Sequence, residues 1–110
     1  MVLMVDGANI ATDKEGYLRD MQEWSVTVAE AIAQTENLSL SNEHWEIIHL
    51  LRRFYMEFEL SPAMRPLVKY VALHLGKAKG NSIYLLTLFP PSPAKIASKL
   101  AGLPRPVNCL

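Results

Sequence analysis

The apolar and polar positions change period early in the chain. Met1–Val5 is apolar and rich in β-formers, and Asp6-Gly7 behind it is a strong turn signal. A second short strand over Asn9–Thr12 completes a hairpin, and Asp13–Gly16 reads as a further turn. This is a small ribbon and not the core of a sheet. From Ser25 onward the spacing is helical. Ser25 caps a helix running to about Gln34, with Val28, Ala29, Ile32 and Ala33 on one face. Ser41 caps the next helix, with Glu43 in the first turn where a carboxylate suits the helix dipole. Trp45, Ile47, Ile48, Leu51, Phe54, Tyr55 and Phe58 make a wide stripe on it, which marks it as the central core helix.

Ser61-Pro62 predicts a third helix start, a cap residue followed by proline at the first helical position. Leu67, Val68, Val71, Ala72 and Leu75 face inward, Pro66 falls near the first turn, and Gly76 stops the helix. Lys77–Gly80 is a basic turn. Asn81 or Ser82 caps a short helix through Leu88, ended by Phe89-Pro90-Pro91. Ser92-Pro93 repeats the cap-plus-proline signal and opens a last helix, Ala94–Ala101, stopped by Gly102. Beyond it, Pro104 and Pro106 at alternate positions favour an extended arm. The predicted fold is mainly α, a small orthogonal bundle of about five helices with an N-terminal β-hairpin. The predicted body covers 1–102, and a flexible C-terminal arm covers 103–110.

Length and composition fit this picture. The chain has 110 residues, 50% of them apolar, which suits one domain with a modest core. No apolar run approaches the length of a membrane-spanning helix. The N-terminus lacks the basic region and long apolar stretch of a signal peptide. A single cysteine forms no internal disulfide, which suits a reducing compartment, so a cytoplasmic location is expected. Charge alters the picture more. Residues 1–60 hold all eleven acids and only four bases, a net −7, whereas 61–110 hold seven bases and no acid, a net +7. Either the halves neutralise each other in the fold, or a basic face is left for a polyanion or an acidic protein. The candidates for such contacts are Arg65, Lys69, Lys77, Lys79, Lys95, Lys99 and Arg105.

The candidate chemistry centres on Cys109. A free cysteine is usually a small buried hydrophobe. Here it is the penultimate residue, behind a proline-stiffened stretch, and chain ends are normally exposed. An exposed thiol on an arm can reach into another protein's site, where its thiolate attacks a persulfide or disulfide sulfur. Lys95, Lys99 and Arg105 favour the thiolate, and the Leu110 carboxylate opposes it. With no second cysteine, a persulfide on Cys109 cannot be resolved within the chain and must pass to a partner.

Other constellations carry less. His44, His49 and His74 lack the four-residue spacing of a helical metal site, so structural or surface roles are expected and no metal or other cofactor is implied. Glu43, Glu46, Glu57 and Glu59 read as solvated surface charges. The segment Gly76–Ser82 lacks the spacing and preceding strand of a phosphate loop, which excludes nucleotide hydrolysis of that type. Trp24, Trp45, Phe54, Tyr55 and Phe58 lie at core spacing and read as packing residues.

Several stretches together resemble the DsrC/TusE family of small sulfur carriers, called the gamma subunit of dissimilatory sulfite reductase in older naming. They are Asp13-Lys14-Glu15-Gly16-Tyr17-Leu18, Glu43-His44-Trp45-Glu46, Phe54-Tyr55, Ser61-Pro62-Ala63-Met64-Arg65, Lys79-Gly80-Asn81-Ser82, Leu88-Phe89-Pro90, Pro93-Ala94-Lys95 and Ala101-Gly102-Leu103-Pro104-Arg105-Pro106, closed by Cys109. The resemblance runs in order along essentially the whole chain. It implies a helical fold with an N-terminal hairpin and a C-terminal arm, and it implies that Cys109 carries the persulfide.

In the DsrC branch a second cysteine lies eleven positions before the penultimate one, and here that position is Ser98. A hydroxyl cannot form the disulfide or trisulfide of the two-cysteine branch, which points towards the TusE branch. The resemblance then implies a sulfurtransferase that receives sulfur from a TusBCD-like donor complex. It hands that sulfur to an MnmA-like tRNA thiolase that makes 2-thiouridine at the wobble position of tRNA. Two other readings stay open. One is a single-cysteine DsrC-like paralog working with sulfite reductase or sulfur-oxidation proteins. The other is a nucleic-acid-binding regulator, with Arg65 and Lys69 on a helix of a helix-turn-helix.

Overall fold

The structure is a computed structural model that describes residues 1–107. Strands β1 (Val2–Val5) and β2 (Ala8–Ala11) pair antiparallel with Val2 opposite Ala11 and Val5 opposite Ala8. Asp6 and Gly7 both have positive φ, 49° and 80°, as a two-residue hairpin turn that follows strand twist requires. Asp13 shapes the next turn, its Oδ1 accepting from the amides of Glu15 and Tyr17 at 2.9 and 3.0 Å. Thr12 then bridges back to Leu18.

Among the described residues, five α-helices follow a short 3-10 turn at Met21–Glu23. Helix α1 (Val26–Thr35) is capped by Ser25, whose Oγ accepts from the Val28 amide at 3.1 Å. Its four predicted core residues, Val28, Ala29, Ile32 and Ala33, are all buried. Helix α2 (Asn42–Phe58) begins with a capping box in which His44 takes the place usually held by Glu or Gln. The Ser41 amide donates to His44 Nδ1 at 3.1 Å, so the proton sits on Nε2, which donates to the Leu88 carbonyl at 2.8 Å. One imidazole thus ties the start of α2 to the end of a helix 44 residues away.

Three expectations from the pattern need correction. First, Ser61-Pro62 does not open the third helix. Helix α3 (Met64–Leu75) starts after Ala63, without a side-chain cap. The Ser61 hydroxyl donates instead to the Pro104 carbonyl, and Pro62 is buried. A tertiary hydrogen bond has taken the group that local chemistry would use as a cap. Second, the stripe on α2 narrows at its end. Ile47, Ile48 and Leu51 are completely buried, but Phe58 is 49% exposed and leans on Phe54 and Tyr70 at the edge of the body.

Third, α2 is not the hub of the bundle. Helices α4 (Ser82–Leu88) and α5 (Pro93–Leu100) complete the fold, and α5 touches each of the other four. Six of its eight residues are buried, including Ala94, Ala97 and Ser98 at or near zero exposure. Small residues let neighbouring helices approach α5 closely, which a reading based on large apolar side chains does not reveal. Asn81 caps α4 as predicted, its Oδ1 accepting from the Tyr84 amide at 2.8 Å. At α5, Pro93 sits at the first turn and Ser92 at the N-cap position, but Ser92 makes no side-chain cap hydrogen bond. No helix among the described residues is long and apolar enough to cross a membrane.

Candidate functional site

The chain leaves the body at the end of α5. A helix ends with carbonyls that have no intrahelical partner, and here the last of them are all satisfied. Gly102 adopts φ +75°, and the chain folds back so that the Gly102 amide donates to Lys99 at 3.1 Å and the Leu103 amide to Ser98 at 3.0 Å. This is the Schellman arrangement, with glycine at the left-handed position. It leaves the carbonyls of Leu100 and Ala101, and two distant side chains take them. Trp24 Nε1 donates to Leu100 at 2.8 Å, and Arg52 Nη1 donates to Ala101 at 2.7 Å. The Arg52 guanidinium also lies over the Trp24 ring, 3.9 Å from its centroid. Burial holds the Arg52 pKa below its usual value. A cation at this end of the helix suits the dipole.

The first residues beyond α5 stay on the body. Leu103 is 1% exposed, Ser61 holds the Pro104 carbonyl, and Pro106 is buried. The Tyr17 hydroxyl donates to the Lys95 carbonyl at 3.1 Å, fixing the flank of α5. Beside Pro104 and Arg105 lies an open groove of about 340 Å³, walled by Asp13, Tyr17, Leu18, Arg19 and Met21. Val107 is exposed. Cys109, the residue on which the sequence-based chemistry rests, lies outside the described residues.

The structure divides the seven candidate bases. Lys79 pairs with Glu46 at 2.6 Å, Lys99 with Glu36 at 2.8 Å, and Arg105 with Glu15 at 3.4 Å. Each pair joins the acid-rich half to the acid-free half, so part of the charge asymmetry is neutralised within the fold. The hydrogen bond to Glu46 raises the Lys79 pKa. Lys99 is the most enclosed of the three, and its ammonium also sits 5.2 Å from the centre of the Tyr17 ring. Lys95 is half-buried, with its backbone engaged by Tyr17. Arg65, Lys69 and Lys77 are exposed on and just beyond α3, and Leu73 between them is 77% exposed.

Each histidine makes contacts within the fold. His44 is the clamp described above, His49 stacks on Trp45, and His74 leans on Tyr70. Among the described residues no group of three or more His, Cys, Asp or Glu is placed to hold a metal ion. Ser98 is completely buried, and its hydroxyl has no hydrogen-bond partner among the described residues. Sequence reasoning missed the roles of Trp24, Arg52 and Ser61 at the α5 exit. Gly102 was legible as a helix stop, but nothing local in the sequence links an indole and a guanidinium to carbonyls 76 and 49 residues away.

Comparison with known proteins gives a consistent result. Residues 4–110 match the protein family described as DsrC like protein. The chain is 52% identical over 109 residues to Sulfurtransferase TusE of Shigella dysenteriae, covering 99% of this chain and 100% of the relative. It has the same identity and coverage with the protein of that name from Escherichia coli K12. Among solved structures, it is similar to DsrC of Allochromatium vinosum, with TM-score 0.89, 48% identity and full coverage of both chains. It is also similar to the oxidized gamma-subunit of the dissimilatory sulfite reductase of Archaeoglobus fulgidus, with TM-score 0.86, 36% identity and full coverage of both.

Proposed function

Because this chain belongs to the DsrC-like family and is a sulfurtransferase of the sulfur-carrier kind, we propose that it relays sulfur as a persulfide on Cys109. The observation that carries this reading is that Cys109 is the one thiol of the sequence. It follows a stretch tied to the body as far as Pro106. In the loading step the Cys109 thiolate attacks the terminal sulfur of a donor persulfide. The donor's S–S bond breaks, its thiolate leaves, and a new S–S bond forms on Cys109. In the unloading step an acceptor thiolate attacks that same terminal sulfur, and the Cys109 thiolate leaves. Sulfur moves without net oxidation or reduction, so no cofactor is required.

Ser98 supports hand-over in preference to internal resolution. It stands where the two-cysteine relatives of the resemblance carry their second thiol, and it is a buried alcohol. The partners proposed are a TusBCD-like donor complex and an MnmA-like thiolase acting on tRNA, in the cytoplasm. Arg65, Lys69 and Lys77 are the bases best exposed for contact with them.

Incubation of the full chain with a persulfide donor should add about 32 Da, one sulfur atom, at Cys109. Cys109→Ser should take up none and should abolish transfer. Undiminished transfer by Cys109→Ser would refute the relay. Retention of the chain by sulfite reductase and not by the tRNA thiolase would refute the choice of partner.

A further inference from the structure

We infer that Trp24 and Arg52 are positioning residues for sulfur transfer, because they hold the carbonyls of Leu100, the last residue of α5, and of its C-cap Ala101, and so fix where the arm bearing Cys109 leaves the body. The inference rests on the relay through Cys109. It assigns a role to residues that neither load nor carry the sulfur.

The Schellman turn alone would end α5. The remaining carbonyls, on Leu100 and Ala101, need only water at an ordinary helix end. Here they are taken by side chains from two separate parts of the chain. Arg52 makes no ion pair among the described residues. It is turned inward onto a carbonyl and an indole face. The indole lies so close to the backbone that a Cβ on Gly102 would stand 2.4 Å from its Cδ1. Ring, guanidinium and turn therefore form one packed unit. Ser61 on Pro104 and the burial of Leu103 and Pro106 extend it along the arm.

The consequence is a short tether. With the chain held through Pro106, three residues lead to Cys109, which bounds its reach at about 10 Å. Release of the whole exit, from Gly102 through Pro106, would lengthen the tether to eight residues, which sets the upper limit of what loosening at Trp24 and Arg52 can do. The effective concentration of a tethered group falls roughly as the −3/2 power of tether length, which predicts about fourfold slower delivery into a docked partner. The intrinsic reactivity of the thiol would be untouched. A small thiol that needs no docking should therefore not sense the clamp.

The test uses the full chain loaded with ³⁵S at Cys109 and single-turnover discharge to two acceptors, the tRNA thiolase and dithiothreitol. Arg52→Met and Trp24→Phe, singly and combined, should slow discharge to the thiolase by up to about fourfold and leave discharge to dithiothreitol unchanged. Arg52→Lys should recover most of the rate. Unchanged discharge to the thiolase, or equal slowing with both acceptors, would overturn the positioning role. Should one of the two single variants not fold, the other is read alone, since each removes one of the two carbonyl contacts.

A second measurement is independent of the relay. A nitroxide on Cys109 should broaden amide signals over a wider part of the body in Arg52→Met, or in Trp24→Phe, than in the parent chain. An unchanged pattern would equally overturn the inference. Failure of the parent chain to take sulfur at Cys109 would refute the relay, while the nitroxide pattern would still decide the clamp.

Discussion

Gly102→Ala tests the α5 exit most directly. Gly102 holds φ +75°, and an L-residue in the left-handed region is strained by about 1–2 kcal/mol. The new Cβ would also stand 2.4 Å from Cδ1 and 2.7 Å from Cγ of Trp24, so the indole must move. Its hydrogen bond to Leu100 is then lost, and leaving that carbonyl unsatisfied costs about 1–3 kcal/mol. The contact between the ring and Arg52 goes with it, worth about 0.5–1 kcal/mol. The sum is about 2.5–6 kcal/mol, a large share of the roughly 5–15 kcal/mol that stabilises a small domain.

Gly7→Ala is the natural control. Gly7 also has positive φ, at 80°, but nothing lies within 4 Å of the point where a Cβ would stand. The substitution should cost only the backbone strain, about 1–2 kcal/mol. Urea unfolding followed by circular dichroism gives both values. Trp24→Ala supplies a further check. Once the ring is gone, Gly102→Ala should again cost only the strain, so the double mutant should fall short of additivity by about 1.5–4 kcal/mol, the ring-dependent part of the sum. If Gly102→Ala is no more destabilising than Gly7→Ala, or if its effect adds fully to that of Trp24→Ala, the packed unit at the exit is refuted.

Three further outcomes are expected. Ser98→Ala removes a buried hydroxyl without a partner among the described residues. It should be neutral or stabilising by up to about 1 kcal/mol in urea unfolding, and a loss above that would show a hidden partner. His44→Ala removes the capping box and the tie to Leu88. It should destabilise by about 2–4 kcal/mol, with the amides at the start of α2 and the end of α4 losing hydrogen-exchange protection together. If only one of the two ends loosens, the imidazole does not couple them. Burial and then the Glu57 carboxylate raise the pKa of Tyr70. The folded state therefore holds that proton more tightly than the unfolded chain. The contribution is complete below the ordinary tyrosine pKa and fades as pH rises past about 10. The melting temperature should fall less steeply between about pH 9 and 11.5 in Tyr70→Phe than in the parent chain, and parallel curves would refute the link.

Much of the fold was legible because it follows from local rules. The Asp6-Gly7 turn, the Ser25 and Asn81 caps, the proline at the start of α5 and the stop at Gly102 all stand where backbone chemistry puts them. The Val28, Ala29, Ile32 and Ala33 face of α1 is buried as its period requires. Two of the misreadings turn on long-range contacts that local preference does not show. Ser61 serves Pro104 and not α3, and α5 with its small residues forms the hub in place of the more apolar α2.

The site divides along the same line. Residue order alone tells that there is one thiol, where it stands, and that residue 98 offers no second one. It also set the opposite charges of the two halves, since both are properties of order and composition. Only the tertiary structure decided that Lys79, Lys99 and Arg105 are engaged by Glu46, Glu36 and Glu15 while Arg65, Lys69 and Lys77 stay exposed. It alone brought Trp24 and Arg52 to the last carbonyls of α5. A hydrogen bond or ion pair depends on two groups meeting in space, and for partners tens of residues apart that meeting is set by how the helices pack.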